Sequence, residues 1–164
     1  MKKIDWNNVN EAQDFQNPTV GGYVAKISYT KDEEIKEYLR IEWDFAEGEF
    51  AGNNRGTYER ANFWPLAFIR SYKEKALPFF KSFKTAREES NRNYTFREDY
   101  LDDMTGKRVG IVLGEEEYEK KDGAVGKRLY VYQTSSVKSI KDGDFKVPDL
   151  KKLKNTLSAP LASS

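Results

Sequence analysis

The chain contains no cysteine and no histidine. That excludes disulfides, thiol nucleophiles, zinc sites built on Cys or His, and every catalytic triad that needs imidazole. Long apolar runs are missing too: no segment approaches the roughly 20 residues of a membrane span. The first fifteen residues, MKKIDWNNVNEAQDF, lack the apolar core of a signal peptide. A soluble protein of a reducing cytoplasm is expected. Excess charge of one sign is also absent, with a net +1 and a pI of 7.7. A dedicated duplex binder is typically far more basic, with a pI above about 9.

At 164 residues the chain suits one domain with tails. The balanced charge conceals an asymmetry. Residues 1–50 carry 6 basic and 11 acidic groups, 51–106 carry 10 and 8, and 107–164 carry 12 and 8. Such a gradient marks an anion-binding side. Aromatic residues make up 14%, which calls for a β-rich core or for exposed stacking surfaces.

The clearest element is residues 37–46, EYLRIEWDFA. Leu39, Ile41, Trp43 and Phe45 alternate with Tyr38, Arg40, Glu42 and Asp44, the pattern of a strand with one buried and one wet face. Before it, Gly21-Gly22 opens a strand over 23–29, with Tyr23, Ala25, Ile27 and Tyr29 on one side. A solvated turn is expected at 30–34. A third strand is read at 55–63, placing Tyr58 and Arg60 on its polar side. From Pro65 to about Ser90 the period becomes helical, with a restart at Pro78. Residues 91–105 read as a polar excursion, 106–116 as a strand, 117–126 as a charged hairpin tip, and 127–136 as the last strand. The domain divides into a leader at 1–19, in which Trp6 and Phe15 dock on the core, a body at 20–140, and a tail at 141–164 with a loose end.

The expected fold is therefore mainly β (α+β): a five-stranded OB-fold barrel with a helical segment between strands 3 and 4. In that topology the second and third strands and the loops between strands 1 and 2 and strands 4 and 5 bind oligonucleotides or oligosaccharides. Single strands are held by basic grooves with aromatic rings on which bases stack. Candidates on the polar sides of strands 2, 3 and 5 are Tyr38 and Arg40, Tyr58 and Arg60, and Arg128 with Tyr130 and Tyr132; Lys26 and Arg55 would meet phosphates. Ile41, Trp43, Phe45, Phe79, Phe80, Phe83, Leu113 and Val131 belong to the core. Trp64, at the strand-to-helix junction, fits either role. The helix cations Arg70, Lys73, Lys75, Lys81, Lys84 and Arg87 read as solvated. Carboxylates at 115–119 and at 99–103 could draw Mg²⁺, but neighbouring carboxylates on a hairpin point apart, so a nuclease is disfavoured. No catalytic residue, metal or other cofactor is expected.

The segments IDWNNVNEAQDF, PTVGGYVAKI, EYLRIEWDFAEGEFAG, RSYKEKALPFFKSF and VGIVLGEEEY resemble phage- and prophage-encoded OB-fold single-stranded-DNA-binding proteins of Gram-positive bacteria. That resemblance covers most of residues 4–154 and implies a non-enzymatic protein of DNA replication or recombination in the host cytoplasm. Its partners would be single-stranded DNA and phage replication or recombination proteins. Bacterial single-strand binders end in an acidic tail with a terminal Phe that recruits partners, whereas this chain ends SAPLASS; recruitment must use another surface. An exposed barrel edge would also invite pairing with a second copy. The alternative function is a protein-interaction module or inhibitor that uses the same barrel face or the acidic hairpin tip.

Overall fold

Leu39, Ile41, Trp43 and Phe45 are all buried along one side of strand β2 (Tyr38–Phe45), and the core is assembled around them. A computed structural model describes residues 1–9 and 17–154. Strands β1 (Gly21–Glu33), β3 (Phe68–Ser71), β4 (Arg108–Glu119) and β5 (Val125–Ser135) complete a five-stranded antiparallel sheet in the order β3-β2-β1-β4-β5. The protein is thus mainly β, with helices α1 (Asn53–Ala61), α2 (Leu77–Ser90) and α3 (Val137–Lys141).

β1 pairs with β4 over Gly21 to Lys26 and with β2 as far as Glu33. The segment 30–34, expected as a turn, is mostly strand: Thr30 faces inward, and the hairpin bends only at Glu34–Lys36, where Glu37 takes a left-handed conformation at φ 56°. A register shift between Ile27 and Tyr29 adds a residue and rotates the remainder of the strand. Tyr29 therefore leaves the side of Ala25 and Ile27 and is half exposed.

Two expectations fail at residues 55–71. The segment read as the third strand is helix α1, and the third strand lies inside the stretch read as helix. A spacing of four, as between Thr57 and Ala61, satisfies both periods, so packing decides between them. Pro78 does restart the helix, occupying the first turn of α2 where its missing N–H costs nothing. On α2, Phe83 and Ala86 are buried. Phe83 packs edge-on against Phe68 of β3 at 5.6 Å, while the far end of the helix reaches the exit of β5 through a Val137 N–H donated to Ser90 Oγ at 3.0 Å. In this way α2 spans the two free edges of the sheet.

Arg70 and Arg87 do not sit in solvent as expected. Arg87 is fully buried, its guanidinium 4.1 Å from the Phe83 ring centroid and 4.8 Å from that of Phe96, and it donates to Phe83 O and Tyr94 Oη. Arg70 lies 4.6 Å over Phe68. Burial pulls both guanidiniums down to about 10, so both remain cations at neutral pH, held by ring faces rather than by carboxylates. The excursion at 91–105 is likewise less polar than its composition suggests, since Tyr94, Phe96 and Met104 enter the core. Phe79 departs the other way and is 72% exposed.

The outer side of β1 and β4 carries three glycines, Gly22, Gly110 and Gly114, and the segment after β5 lies on them. A Cβ at Gly22 would come 2.5 Å from the Phe145 ring, one at Gly114 2.8 Å from Pro148, and one at Gly110 2.5 Å from Ile140 and 2.7 Å from Ser136 O. This strap buries Val24 and Val112. It ends by adding a parallel bridge from Lys151 to Glu116 of β4. Residues 145–151 are thus part of the folded body. Trp6 is 66% exposed rather than docked; Phe15 and the chain end at 155–164 lie outside the described residues. Because a backbone oxygen blocks the site, Gly110→Ala should cost about 2 kcal/mol through overpacking. Urea unfolding tests this; an unchanged midpoint would show that α3 is loosely held.

Candidate nucleic-acid interface

Directly paired residues of antiparallel strands share a face, and the registers therefore fix what the outer side of β1, β2 and β3 presents. Glu33 lies opposite Tyr38, Lys31 opposite Arg40, and Tyr29 opposite Glu42; Tyr38 pairs in turn with Ser71, and Arg40 with Ile69. Tyr29 and Ile69 are about half exposed. Lys26, further along β1, is exposed and pairs with Asp44 on one side and Arg108 on the other. The strap reaches as far as Glu47, whose carboxylate takes both Arg108 and Lys141, and leaves Lys26 exposed. Along β2, six residues separate Tyr38 from Asp44, a span of about 20 Å at ~3.3 Å per residue.

At the far end of that span Asp44, a wet-face position by alternation, is buried. Its Oδ1 accepts the N–H groups of Phe45 (2.8 Å) and Asn54 (2.9 Å), and its Oδ2 accepts that of Arg55 (3.1 Å). Gly52 at the N-cap position supplies no side-chain cap. A carboxylate from β2 therefore caps α1 from outside the helix and seats it beside the sheet. The helix carries Arg55, Tyr58 and Arg60 here, not on a strand as expected. Trp64 completes the corner: its indole donates to Trp43 O at 2.8 Å, its ring lies 5.9 Å from Tyr58 and 5.7 Å from the Arg55 guanidinium. Below it, the Trp43 indole donates to Leu66 O at 2.7 Å and holds Leu66 at φ 60°, a conformation unfavourable to a γ-branched side chain.

Two of the cations along this face are already partnered. Arg40 is paired with Glu42, and Lys31 with Glu33 at 3.0 Å; the hydrogen bond to Glu33 raises the Lys31 pKa. Lys26 and Arg55 make no ion pair among the described residues.

The third group read from the sequence stands apart. Two strands and the strap separate β5 from β2. Arg128 is bonded to Glu116 at 3.0 Å and stacked 4.9 Å over Tyr118. Tyr130 is half-buried, its ring against Gly114 and next to Pro148; burial raises its pKa. Tyr132, at a bulge opposite Val112 and Leu113, is half exposed. The structure thus brings together Lys26, Tyr38, Arg40, Arg55 and Tyr58, and leaves Arg128, Tyr130 and Tyr132 elsewhere. Tyr29, Lys31, Trp64 and Ile69 are the neighbours that sequence reading missed. Only Trp64 carried a signal, an unassigned indole at a junction.

The carboxylates at 115–119 are explained by their surroundings. Glu116 faces Arg128, Glu117 faces Lys127, and Glu117 Oε1 accepts the Leu153 N–H. Among the described residues no group of three or more metal-ligating side chains is gathered, and no helix is long and apolar enough to cross a membrane. No family model matches the sequence, and no curated protein is found to be similar to it.

Proposed function

We propose that the protein binds single-stranded DNA without catalysing a reaction, using the outer side of β1, β2 and β3 and the adjoining α1 corner. The observation that carries this reading is the uncovered aromatic and basic track from Tyr38 through Lys31, Arg40 and Tyr29 to Lys26, Arg55, Tyr58 and Trp64. Rings on a pleated face offer stacking to any base, and the interleaved cations offer phosphate contacts. The fold reading is the OB barrel: β3 and β5 are the two ends of the sheet order, their pairing would close a five-stranded barrel, and α2 bridges that gap. Strands 2 and 3 are the binding strands of that topology. Together with the resemblance to phage single-strand binders, this supports a role in coating DNA during phage replication or recombination in the host cytoplasm.

Because Lys31 and Arg40 share their charge with Glu33 and Glu42, stacking carries more of the affinity than phosphate neutralisation. Fluorescence anisotropy of a labelled oligo-dT across a salt series tests the proposal. Expected are saturable binding, weak competition by duplex, and a shallow log-log dependence near −0.7 per phosphate contacted. No binding at low salt would overturn it.

A further inference from the structure

The opposite side of the same hairpin is hollow. Asp32 and Leu39 pair with each other and face inward, and between them, the start of α2 and residues 96–101 lies a cavity of about 850 Å³. Its wall is a row of rings, Tyr72 edge-on to Phe80 at 6.3 Å and Phe80 to Phe96 at 5.8 Å, with Leu39 and Leu77 beside them. We infer that this cavity docks a short amphipathic segment of a partner protein, one that presents at least two apolar side chains next to a basic residue.

Size, surface and charge each point to that occupant. The volume falls within the roughly 300–1,000 Å³ of ligand clefts and exceeds what one base or one side chain fills. Half-exposed Leu77 and its neighbour Pro78 carry the apolar lining out to the mouth, as a helix-in-groove site requires. The charged wall residues are Asp32, Glu98, Lys81 and Lys84. Lys84 is bonded to Glu88 at 2.9 Å, and Glu88 also accepts the Phe96 N–H at 2.8 Å, which ties that wall to α2. Lys81 is left against two carboxylates, a balance that repels a phosphate backbone and welcomes a cation. Asp32 accepts from Tyr72 Oη at 2.9 Å; burial first, then that carboxylate, push the phenol up to about 12, so it remains a donor.

The test uses the ¹⁵N-labelled full chain and three probes. One is a peptide of roughly 16 residues, long enough to form a helix, with Leu at i, i+3, i+4, i+7 spacing and Lys elsewhere. The second replaces Lys by Glu, and the third is oligo-dT. The Leu/Lys peptide should saturably shift the amides of Leu39, Phe80, Phe96 and Glu98, while the Leu/Glu peptide should not. Glu98→Lys should weaken that binding about fivefold, the scale of an exposed ion pair, and Leu77→Asp should abolish it; both side chains reach solvent, so spectral dispersion verifies the fold. Equal binding of the two peptides, no binding by either, or shifts scattered over the surface would overturn the inference. So would oligo-dT moving these same amides, which would assign the cavity to nucleic acid. Failure of oligo-dT binding alone leaves the inference standing, because the two surfaces lie on opposite sides of the hairpin.

Discussion

Replacing Tyr29, Tyr38 and Tyr58 together by alanine should lower oligo-dT affinity about a hundredfold. Each base stacked on an aromatic ring contributes about 1–3 kcal/mol; three rings at the low end give ~3 kcal/mol, and each 1.4 kcal/mol is a factor of ten. None of the three lies in the buried core cluster, so melting should change little. The control is Tyr132→Ala. That ring is also half exposed, but it is separated from the track by two strands and the strap, and its loss should leave affinity within roughly twofold. If Tyr132 proves as sensitive as the triple variant, DNA follows the β5 side and the proposed track is wrong. Should neither variant weaken binding, while both stay folded, stacking is not the source of affinity.

Asp44→Ala should be the most damaging single change outside the apolar core. The carboxylate is buried and accepts three backbone N–H groups, two of them from the first turn of α1. Hydrogen bonds to a charged group contribute about 1.5–3 kcal/mol each, and a buried donor left without an acceptor costs more than the bond contributed. A loss of about 3 kcal/mol is expected in urea unfolding. Asp44→Asn keeps one acceptor oxygen and should lose less. A second consequence is functional: once the cap is gone the Arg55, Tyr58 and Trp64 corner loses its anchor, and DNA binding should fall even where the alanine variant remains folded. A variant that keeps both stability and affinity would show that Gly52 and solvent suffice to start α1.

How much of this was legible beforehand differs from segment to segment. Residues 38–45 could be read outright, because four bulky apolar side chains at a period of two cannot be buried by a helix. The final hairpin was legible for the same reason, with Val109, Ile111 and Leu113 inward, but its pairing runs on through residues read as the tip, to Glu119 opposite Val125. Pro78 announced the start of α2. In contrast, the stretch from Asn53 to Ser71 misled. Its apolar residues are too few and too evenly spread to favour one period, so the choice was made by contacts distant in sequence: Asp44 capping α1, two tryptophan N–H groups holding the connection, and Phe83 receiving Phe68.

The candidate track divides along the same line. Tyr38, Arg40 and Lys26 were readable as wet-face residues of strong strands. Tyr58 and Arg55 were nominated for a strand and reach the track on a helix. Tyr29 was read on the same side of its strand as Ala25 and Ile27 and was turned outward by one extra residue in β1. Arg128, Tyr130 and Tyr132 follow the expected alternation but are set apart by the order of the strands and by a strap whose path over three glycines no local pattern announces.

The sequence by itself determined the absences, the central strand and the chemical character of the surface, since these depend on which side chains exist and on their spacing along one element. Which of those side chains share a face was decided by the tertiary structure, because bulges, strand order and long-range caps arise only when segments distant in the chain compete for the same core.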